Sequence, residues 1–155
     1  MLTHHRKPVC LSLISTDLPV WSVVETAATL YQKDRERFHL LLTEPPLEEQ
    51  QPTKDQPRNT RLLWLEISPY RVVMTMQGNA QVSYRHFWEQ GIYGISRYWL
   101  RSEALQGNEQ MRLRNFTRSL TLTGRPLPEH LRLEYELWSA KVQLGHYILN
   151  LEIHH

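Results

Sequence analysis

The sequence has few residues of the kinds that cross-link a chain or ligate a metal. It contains one cysteine, Cys10, so no disulfide can form within the chain and a cysteine-rich zinc site is excluded. Eight histidines are present, but none stands in an H-x-x-x-H or H-E-x-x-H pattern. We therefore expect a reducing compartment, no bound metal and no other cofactor.

Long apolar runs and signature glycines are missing as well. No segment approaches the roughly 18 apolar residues of a membrane helix, and Met1–Leu13 lacks the small-residue cleavage site of a signal peptide. We expect a cytoplasmic protein with no membrane partner. The six glycines form neither a phosphate-binding loop nor a nucleophile elbow. The sequence thus offers no catalytic residue and favours a protein that is not an enzyme.

The residues that are present suffice for one globular domain over 1–155. Of the 155 residues, 41% are hydrophobic, and the 15 aromatic side chains supply large pieces for a core. The net charge of +2 is too small to indicate a partner. The segment 44–59 contains four prolines among polar residues, which predicts a mobile polar loop inside the domain.

The N-terminal region predicts a strand followed by a helix. The segment 8–15 is a short apolar run with β-forming residues. Asp17 can cap a helix and Pro19 suits its first turn. Apolar residues then recur at helical spacing, at Trp21, Val24, Ala28 and Tyr31. We expect one amphipathic helix of about 18 to 20 residues.

The C-terminal two thirds alternate between apolar and polar residues. The segments 113–123, 131–138 and 142–153 have this period most clearly, which predicts consecutive antiparallel strands. The segments 62–67 and 70–76 alternate too, whereas 92–100 fits either helix or strand. The predicted fold class is α+β, with the N-terminal amphipathic helix packed on a mostly antiparallel sheet of about five or six strands.

Arginines and aromatic residues interleave between Tyr84 and Arg125. Seven arginines stand there against three glutamates. Guanidinium groups bind carboxylates and phosphates through two parallel hydrogen bonds, and aromatic rings offer stacking faces. An ordinary sheet with arginines on its wet face has the same composition. The candidate ligand-binding residues are Arg97, Arg101, Arg114, Arg118 and Trp99.

Arg118 is the candidate for which the sequence makes the most specific prediction. Alternation places it on the same face as Phe116, Leu120 and Leu122. A guanidinium on an apolar face needs an acidic partner. That partner is either a glutamate of the next strand, Glu134 or Glu136, or an anionic ligand.

Two segments, Ser96–Arg101 and Arg118–Leu127, resemble chorismate lyase. The resemblance implies an antiparallel sheet with helices on one side, and an aromatic dicarboxylate held by an arginine, here Arg97 or Arg118. It implies no catalytic acid, because Leu131 stands where that family needs a glutamate.

These observations favour a small, soluble, non-catalytic accessory or interaction protein that binds another protein or an anionic ligand through the arginine and aromatic surface. An exposed sheet edge could receive a partner strand. One alternative is a small-molecule-binding domain or a chorismate-lyase-like enzyme acting on an anionic aromatic compound. A further alternative, not favoured, is binding of single-stranded nucleic acid.

Overall fold

The described chain consists of β-strands joined by turns. The computed structural model describes residues 4–18, 21–44, 61–78, 82–101 and 108–155. The strands are β1 (His4–Ser15), β2 (Trp21–Gln32), β3 (Phe38–Glu44), β4 (Arg61–Ile67), β5 (Arg71–Gln77), β6 (Val82–Glu89), β7 (Tyr93–Arg101), β8 (Asn108–Thr123), β9 (His130–Ser139) and β10 (Val142–Ile153). Within these ranges there is no α-helix, and hence no helix long and apolar enough to cross a membrane.

The ten strands form one closed antiparallel barrel. Each strand pairs with its neighbours in the chain, and β1 also pairs with β10. Leu11 of β1, for example, lies opposite Val24 of β2 on one side and opposite Leu151 of β10 on the other. Closure pairs the first strand with the last, so the ring has no exposed sheet edge of the kind that invites strand addition.

Alternation along each strand separates an inner wall from an outer wall. In β3, Phe38, Leu40 and Leu42 face the interior and are at most 4% exposed, while Leu41 between them is only half-buried. The same period runs through the other strands, and their inner side chains meet in a single core. Most of the hydrophobic stabilisation therefore comes from inside the ring.

Two irregularities interrupt the alternation. The pairing of β8 with β9 shifts between Thr117 and Ser119, and the pairing of β10 with β9 shifts between Gln143 and Gly145. A bulge adds one residue to one strand of a pair. Because side chains alternate with period two, the extra residue changes which positions face the interior: odd-numbered positions can face inward on one side of the bulge and even-numbered positions on the other.

The predicted α+β fold is wrong, because the segment assigned to a helix is strand β2. Trp21, Val24, Ala28 and Tyr31 do not share a face: Val24 and Ala28 point inward, whereas Trp21 is 72% exposed on the outer wall. β2 is rich in β-branched residues, which favour strands. Long pairing with β1 outweighs the helical spacing.

Several of the predicted strands are confirmed. The strand predicted over 8–15 lies within β1, and the last three predicted strands are confirmed as β8, β9 and β10 with antiparallel pairing. The ambiguous segment 92–100 forms most of β7. The sheet has ten strands rather than five or six. Except for its first residue, which ends β3, the predicted loop 44–59 lies outside the described residues.

We expect neighbouring leucines of β3 to differ sharply in their contribution to stability. Leu40 is fully buried inside the barrel, and Leu41 is half-buried on the outer wall. Leu40→Ala should lower the free energy of unfolding by about 2–5 kcal/mol, because it leaves a cavity in a packed core. Leu41→Ala should cost less than about 1 kcal/mol. Equal losses in urea titrations would contradict the assignment of inner and outer walls.

Candidate functional site

One region of the interior is aromatic and polar instead of aliphatic. Alternation along β6 points Tyr84, His86 and Trp88 into the barrel, where Tyr135 and Tyr147 arrive from β9 and β10. Polar residues of β7 and β8 complete the group. We call it the interior polar cluster: Tyr84, His86, Trp88, Ser96, Tyr98, Asn115, Thr117, Tyr135 and Tyr147.

The rings of the cluster pack across the barrel. The His86 ring stacks on Trp88, with centroids 4.8 Å apart and planes within 5°. Tyr135 reaches from β9 to within 4.9 Å of the Trp88 ring, although two strands separate β9 from β6. Tyr147 in turn stacks on Tyr135 at 5.4 Å. His86, Trp88 and Tyr135 are buried, while Tyr98 and Tyr147 remain half-buried.

Ser96 is the centre of the hydrogen bonding. Its Oγ lies 2.7 Å from His86 Nδ1 and accepts a hydrogen bond of 2.8 Å from Asn115 Nδ2. The other ring nitrogen of His86 lies 3.5 Å from the Tyr98 hydroxyl, a long contact. These bonds fix the His86 ring over Trp88 and connect β6, β7 and β8 through side chains.

Three buried polar atoms of the cluster have no hydrogen-bond partner among the described residues. They are Trp88 Nε1, Asn115 Oδ1 and Thr117 Oγ1. Asn115 stands opposite Gly94, where an added Cβ would come within 2.9 Å of Asn115 Oδ1 and 2.1 Å of a β6 carbonyl oxygen. Only glycine therefore fits at position 94. Buried polar atoms in folded proteins are nearly always paired, so three unpaired atoms in one cluster require an explanation.

The cluster is electrically neutral near pH 7. Burial lowers the pKa of His86 to about 4, so the imidazole carries no charge there. Burial also raises the pKa of Tyr98 to about 12 and keeps that of Tyr135 well above its ordinary value. Tyr147 shifts in the same direction for the same reason. No carboxylate, lysine or arginine belongs to the cluster.

This arrangement suits binding better than nucleophilic chemistry. A neutral His86 could accept the Ser96 proton, but Ser96 is completely buried. No carboxylate in the described residues holds the imidazole as the third member of a catalytic triad would. Nor do the described residues contain a group of three or more His, Cys, Asp or Glu side chains that could hold a metal ion.

The predicted ligand-binding arginines do not contribute to this cluster. Arg97 and Trp99 lie on the outer wall of β7, and Arg114 and Arg118 lie on the outside of β8. Arg101 ends β7, and its side chain is outside the described part of the structure. Arg97, Trp99 and Arg114 are neighbours on the outer faces of β7 and β8, whereas Arg118 is paired with Glu136. Their role in ligand binding remains a prediction.

Arg118 is held by Glu136. Its Nε and Nη2 donate hydrogen bonds of 2.9 and 2.6 Å to Glu136 Oε1, and Trp138 Nε1 donates to Oε2 at 3.3 Å. The pairing with a glutamate of the next strand is thereby confirmed. The Glu136 side chain is only 10% exposed although it lies on the outer wall, because Arg118 and Trp138 cover it.

The predicted face of Arg118 is wrong, because the β8 bulge interrupts the alternation. Asn115 and Thr117 are fully buried inside, which turns Phe116 to the outer wall. After the bulge, Leu120 faces inward again and Arg118 stays outside. The sequence predicted neither this bulge nor the interior polar cluster. The period-two recurrence of aromatic rings at positions 84, 86 and 88 was the signal that could have indicated the cluster.

By its fold and its cluster, the protein is a closed ten-stranded antiparallel barrel with a polar and aromatic region in its interior. A protein of similar fold is ywiB from Bacillus subtilis, with a TM-score of 0.62 and 13% identity over 99% of this chain and 94% of that one. Two structures of Ail from Yersinia pestis, one of them with the heparin analogue sucrose octasulfate, also align. Their TM-scores are 0.24 and 0.23, at 9% and 7% identity, over 98% of this chain and 96% of theirs. No family model and no curated protein matches the sequence.

The predicted function as a small soluble accessory or interaction protein is wrong in its structural basis. It assumed a helix on an open sheet whose edge could receive a partner strand. The described strands close into a ring instead, with a fold similar to that of ywiB. The chorismate-lyase-like alternative fails for the same reason, because the described residues contain no helix to cover one side of a sheet.

Removing Arg118 should expose its structural role. We expect Arg118→Met to lower the free energy of unfolding by about 1–2 kcal/mol, because the largely buried Glu136 carboxylate loses its charged partner. The double variant Arg118→Met/Glu136→Leu should recover most of this loss. As a control, Arg132→Met breaks a looser pair of 3.6 Å and should cost less than about 0.5 kcal/mol. A double variant no more stable than Arg118→Met would contradict this account.

His86 should make stability depend on pH. Its pKa is about 4 in the folded protein against 6.5 unperturbed, so the unfolded state binds more protons between these values. The free energy of unfolding should therefore be unaffected by His86 above pH 6.5. It should decrease by about 3 kcal/mol in total as the pH falls to 4. His86→Phe, which keeps a ring against Trp88, should flatten this part of the stability curve. Parallel curves for wild type and His86→Phe would refute the assignment.

Proposed function

We propose that the barrel binds one uncharged small molecule at the interior polar cluster. The molecule would have an aromatic or apolar body and both hydrogen-bond donors and acceptors. The observation that carries the proposal is the set of buried atoms without a hydrogen-bond partner among the described residues, Trp88 Nε1, Asn115 Oδ1 and Thr117 Oγ1, in a cluster whose tyrosines Tyr98 and Tyr147 are half-buried.

The chemistry of these atoms defines what the ligand must offer. The indole N–H of Trp88 needs an acceptor, Asn115 Oδ1 needs a donor, and Thr117 Oγ1 can take either. The surrounding rings provide flat apolar contact. Small-molecule sites commonly combine mostly apolar walls with a few converging polar groups, and barrel mouths are among their usual positions.

The neutrality of the cluster argues for an uncharged ligand. An anion placed there would lose its hydration without meeting a cationic side chain, because the His86 pKa of about 4 keeps the ring neutral. A cation would find no carboxylate. The ligand therefore differs in charge and in location from one held by the outer-wall arginines.

The width of the barrel supports the same proposal. An interior of eight strands is just wide enough for side chains to fill it or to hold one small ligand, and the diameter grows with strand number. Ten strands give a wider interior.

A cytoplasmic location, expected from the sequence, belongs to this proposal. The apolar side chains of the core face inward, while the outer positions of β9 carry His130, Arg132, Glu134, Glu136 and Trp138. This face of β9 suits an aqueous surrounding, although Trp21 and Val23 of β2 and Trp64 of β4 are exposed on other parts of the outer wall. The single cysteine is compatible with a reducing compartment.

A neutral fluorescent probe can test the interior site. N-phenyl-1-naphthylamine should bind the wild-type protein with increased emission. Leu13→Trp adds bulk to the inner wall, where Leu13 packs against the core beside Tyr147, and should weaken probe binding at least tenfold. Ile14→Trp is the matched control: Ile14 follows in the chain but is 44% exposed outside, so probe binding should be unchanged.

Circular dichroism and urea titration confirm first that both variants are folded, since overpacking costs about 1–3 kcal/mol. Absence of probe binding to wild type would contradict an accessible interior. Equal weakening by Leu13→Trp and Ile14→Trp would show that the probe binds outside the barrel. Either result overturns the proposal.

A further inference from the structure

Three arginines form a row across the outer wall. Arg97 of β7 lies directly opposite Arg85 of β6 on one side and opposite Arg112 of β8 on the other. Neighbouring strands are about 4.8 Å apart, so the three Cβ atoms fall within about 10 Å. Arg85 and Arg112 are exposed, and Arg97 is half-buried. We call this set the arginine row.

The arginine row has no acidic partner in the described structure. Three other outer-wall arginines do have one: Arg71 lies 3.5 Å from Glu89, Arg118 pairs with Glu136, and Arg132 lies 3.6 Å from Glu134. No described carboxylate lies within ion-pairing distance of the row. The adjacent outer positions on the same three strands are also free of acids: Ser83, Phe87, Ile95, Trp99, Gln110 and Arg114.

Like charges directly opposite each other on adjacent strands destabilise a sheet. The row imposes this repulsion twice, once on each side of Arg97. An anion lying across the three strands would replace repulsion with charge-assisted hydrogen bonds. Guanidinium groups match phosphate oxygens well, because each can donate two parallel N–H bonds.

We propose that the arginine row binds a compact oligophosphate, such as an inorganic or nucleotide-borne triphosphate chain. The row is about as long as such a chain, and its three positive charges meet several negative ones. Trp99 lies beside the row, opposite Ser83 and Gln110, where its half-buried ring can contact a group attached to the chain.

The surroundings favour a compact ligand over a nucleic-acid strand. On the β5 side the row ends at Thr75, which lies opposite Arg85 and carries no charge. On β8 the next outer-wall arginine is Arg114, which already has other contacts. Its guanidinium lies over the Tyr93 ring and donates to the Ala140 carbonyl oxygen at 3.1 Å. The net charge of +2 provides no wide basic field of the kind that nucleic-acid surfaces have. This site is independent of the interior one, because it lies on the opposite side of the wall.

Titration calorimetry with inorganic tripolyphosphate, at two salt concentrations, tests the row. Wild-type protein should bind the probe, and more weakly at high salt. Arg97→Gln should weaken binding about tenfold or more, and Arg97→Lys should recover part of the loss, since it restores charge but not the two-pronged geometry. Arg132→Gln removes an equal charge from another part of the outer wall and should change affinity less than about twofold.

A second prediction concerns the thermal stability of Arg97→Gln in the absence of any ligand. Arg97→Gln should raise the melting temperature by about 1–3 °C, because it removes two like-charge contacts. If Arg97→Gln does not fold, Arg85→Gln at the end of the row takes its place in both measurements.

Three results would overturn the proposal. They are no tripolyphosphate binding to the wild type, an equal loss of affinity in Arg132→Gln, and much tighter binding of a short oligothymidylate than of tripolyphosphate. The last would assign the row to single-stranded nucleic acid instead.

Discussion

Closure of the sheet through β1 is the constraint on which the rest of the structure depends. β1 has to pair with β2, its neighbour in the chain, and with β10, more than a hundred residues away. Only when both pairings form does every inner face lie against other inner faces. Leu30, Leu40 and Leu65 then lose all contact with water, and the first and last strands lose their free edges.

The closed barrel wall separates the side chains into an interior set and an exterior set, which differ in charge. Charged groups cannot be placed inside without a partner, so the polar residues of the interior are neutral ones, with His86 held uncharged by burial. The charges lie on the outer wall, where Arg71, Arg118 and Arg132 form ion pairs and the row of Arg85, Arg97 and Arg112 has no acidic partner among the described residues. The two proposed sites thus differ in ligand charge because they lie on opposite sides of one wall.

The bulges adjust this division locally. At the β8 bulge one extra residue lets Thr117 and Leu120 both face inward, and Arg118 is left outside to cover Glu136. In β10 the side chain of Tyr147 lies over Gly145, where a Cβ would come within 2.7 Å of its hydroxyl oxygen. A small residue there gives the tyrosine room beside Tyr135.

The sequence by itself determined the last three strands, because period-two alternation is a local property. For Arg118 it predicted an acidic partner but left open whether that was Glu134, Glu136 or a ligand, and only the structure identified Glu136. It misassigned Trp21–Gln32, since apolar spacing there fits a helix until pairing with β1 is known. Only the tertiary structure decided which face of each strand is inner, where the bulge changes parity, and that Arg85, Arg97 and Arg112 are neighbours. These features depend on which strands lie side by side and on ring closure, and no local pattern contains that information.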